Sequence, residues 1–253
     1  EERPILDITQ FARFGQRVLE TLRPLVPHPL IERLWPLAIQ AARQHGNLGR
    51  ALAQARHIVE GEWGLSSLEL PLSRVCDDWP FRWFSAHLLA DADRLREVHN
   101  QCLAEYRRVH KIRGCPLPVP DLTQHGPWTE VPFWLWSVQR PRRRPAFVRR
   151  EGSQVELSDR HELQTTLTLD PHGDATTCVE QLEAAHQQGL RVRPRALITT
   201  MFARLVLSDI FIHGIGGAKY DQVTDAIVRR FLGFEPPEYL VATATLKLPV
   251  PRA

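Results

Sequence analysis

The stretch CPLPVPD, residues 115–121, separates two halves of the sequence that follow different patterns. Its three alternating prolines hold φ at about −65° and donate no backbone N–H, so a helix that reaches them ends. Upstream of it, apolar residues recur at helical steps of three and four, and downstream they occur in short runs typical of strands. We therefore predict a helical region over 1–115, a proline-rich linker over 116–131 and a mixed α/β domain over 132–253.

The helical half contains one pattern that is longer than the others. After Pro80, apolar residues continue at helical spacing from Phe81 to Val109, and charged side chains fill the remaining faces. A helix of this length is typical of an antiparallel bundle or of a helical hairpin. A homodimer formed through this helix is one partnership that the pattern allows. A shorter helix is predicted from Asn47 to Trp63, with Asn47 as its N-cap.

Composition and cysteine spacing exclude several classes of protein. The chain has 253 residues, of which 43% are hydrophobic and 24% charged, as in a globular protein rather than a disordered one. No apolar run approaches the roughly 18 residues of a membrane span, and no signal peptide is visible, so we expect a cytoplasmic protein without a membrane partner. None of the four cysteines has the spacing of a metal-binding pair, so we predict no metal site.

The segment FIHGIGGAKYD, residues 211–221, is the sharpest local feature of the mixed half. Three glycines within four positions allow the backbone to approach a ligand or to adopt positive φ. We predict a glycine-rich loop that ends where a helix begins near Asp221, so that the free N–H groups of that helix point into the loop. Such a helix N-terminus is an anion-binding site.

Each polar residue of this segment has an expected role at that site. Lys219 would neutralise the anion, His213 would donate a hydrogen bond or shuttle a proton, and Tyr220 would orient the substrate. The predicted catalytic residues are thus His213, Lys219 and Tyr220, and the predicted ligand-binding residues are Gly214, Gly216, Gly217 and Asp221.

Two other interpretations of the same segment stay open. The spacing fits neither of the named phosphate-binding glycine motifs. A helix, a hydrophobic-glycine hairpin and a second helix also resemble the helix-hairpin-helix element, a non-catalytic module that binds nucleic-acid backbones. A nearby basic run would supplement it: Arg140, Arg142, Arg143, Arg144, Arg149 and Arg150. The third interpretation is a purely structural domain with a tight turn and a hydrogen-bonded core histidine.

The stretch from Arg193 to Leu248 resembles the C-terminal part of the bacillithiol-synthesis cysteine-adding enzyme family, over about a quarter of the chain. The family has a proline-led helix, an aromatic-valine-glycine-glycine segment that reaches a tyrosine, a further helix, a short proline stretch and a closing strand. The corresponding residues here are Pro194, Leu197, Ile198, Phe211, Ile212, His213, Gly214, Tyr220, Asp221, Pro236, Pro237 and the stretch Tyr239 to Leu248.

This resemblance implies a Rossmann-like partial α/β half joined to helical insertions. The family reaction joins cysteine to the amine of glucosaminyl-malate, and its members bind an adenine nucleotide, which implies ADP or ATP as cofactor and a small-molecule substrate. The family's N-terminal nucleotide-fold half has no counterpart in these residues, so the resemblance implies a missing N-terminal half. The chain would then be the C-terminal portion of a cytoplasmic carbon-nitrogen ligase-like enzyme.

Overall fold

A computed structural model describes residues 3–112, 119–169 and 173–247 of the chain. The molecule is mixed: helices make up the N-terminal half, and an antiparallel sheet lies in the C-terminal half. The described residues form two compact units, one of residues 3–74 with 245–247 and the other Val75–Ala244. The division therefore lies well before the predicted linker at 116–131, and part of the helical half belongs to the same unit as the sheet.

The first unit consists chiefly of three helices, α1 (Ile8–Leu22), α2 (Ile31–His45) and α3 (Leu48–Glu62). As predicted, the side chain of Asn47 caps α3 by accepting a hydrogen bond from the backbone N–H of Arg50. Close approach of α1 and α2 depends on Gly15, because a Cβ there would lie 2.0 Å from the indole of Trp35.

The predicted long helix after Pro80 is two helices. A short helix, α4 (Leu72–Cys76), precedes α5 (Trp79–Ala90) and α6 (Ala92–Val109). Asp91 separates α5 from α6, since its φ of −132° and ψ of 57° are not helical. Apolar spacing continues across the break because both helices bury a face in the same unit, so periodicity did not reveal it. The continuous helix expected to support a homodimer is therefore absent between Phe81 and Val109.

Within the described residues the main sheet has six strands, and all of their pairings are antiparallel. Its strands are β1 (Gln124–His125), β2 (Trp128–Ser137), β3 (Arg144–Glu151), β4 (Gln154–Ser158), β5 (Gln164–Thr168) and β6 (Leu190–Pro194). The first five follow one another in sequence order, and β6 pairs with β2. Strand-like runs on either side of Glu151-Gly152-Ser153 predict a hairpin with its turn at these residues. This hairpin is confirmed as the pairing of β3 with β4, with Gly152 at a φ of 64° in its turn.

A Rossmann-like core is not confirmed. Such a core is built on a mostly parallel sheet, whereas every pairing of the six-stranded sheet runs antiparallel. The predicted linker at 116–131 also contains β1 and the start of β2, and Asn100 on α6 exchanges two hydrogen bonds of 2.8 Å with the backbone of Leu122. Residues 113–118, which include Cys115 and the first two prolines of the stretch, lie outside the described residues.

The remaining elements surround the candidate site in the second unit. They are α7 (Thr176–Gln187), α8 (Ala196–Phe202), α9 (Ile215–Ile227) and a separate parallel pair, β7 (Ile212–Gly214) with β8 (Leu240–Ala242). A π-helical turn continues α8 over Ala203–Leu207, and another continues α9 over Val228–Leu232. The predicted strand from Tyr239 to Leu248 is shorter in the structure, and Leu248 lies outside the described residues. None of the described helices is long and apolar enough to cross a membrane.

Candidate functional site

The glycine segment is the start of a helix rather than a loop. Helix α9 begins at Ile215 instead of near Asp221, so Gly216 and Gly217 lie in its first turn. Gly214 is the N-cap, with an extended backbone (φ −71°, ψ 154°) and no side-chain cap. None of these three glycines has positive φ. Reading them as loop residues was wrong because a helix tolerates glycine in its first turn, where packing outweighs intrinsic propensity.

Gly217 has a specific packing role beneath His213. A Cβ at position 217 would lie 2.3 Å from Nδ1 of the imidazole, so only glycine lets the ring lie against the helix. The other ring nitrogen, Nε2, lies 3.0 Å from Oδ2 of Asp221. Residues 217 and 221 are four apart and share a helix face, so the histidine on β7 spans both positions.

Asp221 anchors this arrangement from inside the protein. Its side chain is only 2% exposed. Its Oδ1 atom accepts hydrogen bonds from the hydroxyls of Thr200 at 2.7 Å and Thr224 at 2.9 Å, and its Oδ2 atom lies 3.3 Å from Nη1 of Arg204. The carboxylate is thus surrounded by protein partners. Its Oδ2 atom also lies near His213, and the enclosed carboxylate holds the cluster together; a ligand-binding role for Asp221 stays a prediction.

Arg204 is the buried counter-charge of the cluster. Its side chain is 2% exposed, its Nη2 atom lies 2.8 Å from Oδ1 of Asp225, and it also donates a hydrogen bond to the carbonyl oxygen of Pro237. Its guanidinium lies 4.6 Å from the ring centroid of Tyr239. Two carboxylates therefore neutralise one buried guanidinium, and the imidazole of His213 lies at the solvent side of this group.

Tyr239 ties the cluster to the first turns of α9. Its hydroxyl donates a 2.9 Å hydrogen bond to the carbonyl oxygen of Ala218. Burial raises the pKa of Tyr239, and the nearby carboxylates of Asp225 and Asp221 raise it further. Sequence reasoning missed Thr200, Arg204, Thr224 and Tyr239. The one available signal was the pair of carboxylates at positions 221 and 225, four residues apart on one helix.

Lys219 and Tyr220 lie away from His213. At about 100° per residue, position 219 is about 200° around α9 from position 217. The Lys219 side chain is exposed and has no hydrogen-bond or ion-pair partner among the described residues. The Tyr220 ring packs against Tyr106 on α6 with a centroid distance of 5.9 Å. Of the predicted site residues, the structure therefore brings together His213, Gly217 and Asp221 only.

The first turn of α9 has open space beside two of its glycines. A Cβ at Gly214 or at Gly216 would meet no atom within 4 Å. The first N–H groups of a helix have no partner within the helix, and together with the helix dipole they attract anions. The arrangement therefore suits a phosphate or a carboxylate group beside His213. The described residues contain no cluster of His, Cys, Asp and Glu that could hold a metal ion.

Three of the six arginines in the basic run proposed for nucleic-acid contact pair with carboxylates of the protein. Arg140 pairs with Glu162, Arg144 lies 3.6 Å from Asp159, and Arg149 lies 2.6 Å from Glu156. Arg150 donates to three backbone carbonyl oxygens. In place of a hairpin between two helices, the structure has the strand β7, which pairs in parallel with β8. These observations give no support to a helix-hairpin-helix module.

No protein-family model matches the chain, and no curated protein matches it.

Proposed function

We propose that the chain is part of a cytoplasmic carbon-nitrogen ligase-like enzyme and that the N-terminus of α9 binds an anionic group of its nucleotide or small-molecule substrate. One observation supports this most directly. Helix α9 begins at Ile215, its N-cap Gly214 provides no side-chain cap, and the space beside Gly216 in its first turn is unoccupied by protein atoms. Backbone N–H groups in such a position bind phosphate and carboxylate without a dedicated side chain. The resemblance over Arg193 to Leu248 supplies the reaction class.

His213 is the group placed to touch the bound anion. Its Nε2 atom faces Asp221, which leaves Nδ1 above Gly217 in the first turn of α9. Asp221 is a positioning residue, because it is held in turn by Thr200, Thr224 and Arg204. A histidine oriented by a buried carboxylate can transfer a proton to or from a substrate bound at the same helix end.

Lys219 supplies charge without sharing the face of His213. Side chains on a helix tilt toward its N-terminus, so an exposed lysine in the second turn reaches back toward the first amides. Its ammonium would neutralise a phosphate held there as a point charge. Tyr220 packs against Tyr106, so we assign it a packing role in place of the substrate-orienting role first expected.

Nucleotide binding tests this proposal. ADP and ATP would be titrated into the wild-type chain and into Lys219→Ala, with Lys111→Ala as the matched control because both lysines are exposed and belong to the same unit. A ligand at about a hundred times its dissociation constant should stabilise the chain by about 2.7 kcal/mol. We expect Lys219→Ala to weaken binding several-fold and Lys111→Ala to leave it unchanged.

The salt dependence of binding separates the proposal from the nucleic-acid alternative. A nucleotide-specific stabilisation should persist at moderate salt, whereas phosphate-backbone contacts with a DNA duplex lose affinity steeply as salt rises. If neither nucleotide stabilises the wild-type chain, or if the two lysine variants behave alike, the assignment of the α9 N-terminus fails.

A further inference from the structure

A second group of polar side chains surrounds a cleft elsewhere in the second unit. The cleft lies among α5, α7 and β6 and comprises about 330 Å³ of space, mouth included. Its polar lining consists of Asp77, Arg82, Ser85, His186 and Arg193. Apolar side chains such as Phe81 and Leu182 complete its walls. No residue of the α9 site contributes to it.

Oδ1 of Asp77 is one buried lining atom without a hydrogen-bond partner among the described residues, and the hydroxyl of Ser85 is the other. Ser85 is 1% exposed, and its Oγ atom has no hydrogen-bond partner among the described residues. A hydroxyl buried without a partner destabilises a protein, so native structures almost always satisfy it. Because Ser85 lines the cleft, a polar atom bound within the cleft would supply the missing partner.

The lining is more positive than negative. The side chains of Arg82 and Arg193 are 11% and 7% exposed. Arg193 places Nη1 at 2.8 Å from Oδ1 of Asp77, and His186 places Nδ1 at 3.3 Å from the same oxygen. Arg82 pairs with Glu183, which is not part of the lining. Among the lining residues, two guanidinium groups face one carboxylate, and Glu183 balances Arg82 from outside the lining.

The pKa of His186 agrees with an excess of positive charge around the cleft. Burial lowers the pKa of His186, Asp77 opposes the change, and Arg191, Arg82 and Arg193 lower it further. Three guanidinium groups thus act on one ring, and a positive field of this kind favours a bound anion. A cation would meet the repulsion of the same groups.

The geometry points to a binding site for a small oxyanion, and we propose that this cleft holds a carboxylate or phosphate group between Arg193, Arg82 and the Ser85 hydroxyl. Behind its mouth the cleft has room for about one water molecule. The ligand therefore takes the position of the Asp77 carboxylate rather than lying beside it. Asp77 can leave, because it is 29% exposed and lies in the short connection between α4 and α5.

Two probes distinguish a phosphate ligand from a carboxylate ligand: inorganic phosphate and acetate. Each would be titrated separately at constant ionic strength. Binding would be followed by calorimetry and by the thermal midpoint. We expect one of the two anions to bind saturably and Asp77→Asn to bind it several-fold more tightly, because the competing carboxylate is gone. Ser85→Ala should weaken binding at least tenfold, in line with loss of a hydrogen bond to a charged group.

Arg195 offers a matched control for Arg193. Arg193 pairs with Asp77 and lies 5.5 Å from the ring of Trp136, whereas Arg195 lies 2.7 Å from Glu130 and 4.5 Å from the ring of Trp134. Of these two arginines, Arg193 lines the cleft and Arg195 does not. Arg193→Gln should therefore abolish anion binding, and Arg195→Gln should preserve it. Lys219→Ala should also preserve it, which separates this site from the α9 N-terminus.

Three results would overturn the proposal. The first is the absence of saturable binding of either anion to the wild-type chain. The second is equal loss of binding in Arg193→Gln and Arg195→Gln. The third is wild-type affinity in Ser85→Ala, a variant that should fold because alanine favours a helix and the lost hydroxyl had no partner.

Discussion

Two places in the second unit combine the same three residue types and differ in how completely they are enclosed. Asp221 lies between Arg204 and His213, and Asp77 lies between Arg193 and His186. The Asp221 side chain is 2% exposed and accepts two threonine hydroxyls, whereas the Asp77 side chain is 29% exposed at the mouth of a cleft. We call these the closed and the open cluster.

Enclosure decides what each cluster can do. In the closed cluster, protein groups occupy both carboxylate oxygens, so Asp221 can orient His213 but cannot exchange partners with a ligand. In the open cluster the Asp77 carboxylate is only partly covered, and it lies at a cleft that the Ser85 hydroxyl also lines. The same residue types therefore form a rigid support in one place and a replaceable contact in the other.

The largest expected difference in stability is between variants that lack the Asp221 carboxylate and variants that lack the Asp77 carboxylate. Asp221→Ala leaves Arg204 buried with less compensation and removes the acceptor of two hydroxyls, so we expect a loss of about 3–5 kcal/mol in the free energy of unfolding. Asp77→Ala removes a partner that is 29% exposed but leaves the Arg193 side chain only 7% exposed, so we expect a smaller loss of about 1–3 kcal/mol. Urea denaturation of both variants measures the difference. Equal losses would show that the closed and open clusters do not differ in this way.

Substitution of the adjacent glycines Gly216 and Gly217 in α9 should give a stability difference of intermediate size. Gly217→Ala pushes a methyl group into the His213 ring, and we expect a loss of about 1–3 kcal/mol from overpacking. Gly216→Ala enters open space in the same helix turn, and the lower conformational entropy of the unfolded chain should stabilise it by up to about 1 kcal/mol.

The same pair also tests the proposed anion site. In Gly216→Ala the new methyl group partly covers the first amides of α9, so nucleotide affinity should fall even though stability rises. Thermal denaturation with and without ADP measures both quantities. Stabilisation of Gly217→Ala to the same extent as Gly216→Ala would show that His213 does not need the close approach to the helix.

The smallest expected effect is a pH dependence that originates in the open cluster. The pKa of His186 is lowered from 6.5, chiefly by burial, so the unfolded state binds more protons than the folded state as the pH falls below that value. The contribution of His186 to stability is present above pH 6.5 and is lost at lower pH. Burial lowers the pKa of His99 as well, so His99 acts in the same direction.

Denaturation at pH 7.5 and pH 5.5 tests this dependence. His186→Gln should reduce the loss of stability between these two pH values. The exposed His125 provides the control, since His125→Gln should leave that loss unchanged. Asp77→Asn should enlarge the loss, because the Asp77 charge opposes the lowering of the His186 pKa. A wild-type chain that is equally stable at both values would contradict the expectation.

Short-range features were the ones that the sequence predicted well. The Asn47 cap of α3 and the turn at Gly152 depend on residues within a few positions of each other, and both are confirmed. The break at Asp91 was missed, because apolar spacing is the same in two helices that face one core as in one long helix. Strand β6 was also missed, since its pairing with β2 spans a long separation along the chain.

In the candidate site, too, features set by neighbouring residues were predictable, whereas features set by contacts between distant segments were not. The sequence by itself determined which polar residues and glycines surround position 217 and that a helix lies in this segment. Only the tertiary structure decided where α9 begins and which residues meet, because the position of His213 against Gly217 depends on the pairing of β7 with β8 and on the burial of Arg204 and Asp221. Direction of pairing and burial arise from contacts between distant segments, which local residue patterns do not specify.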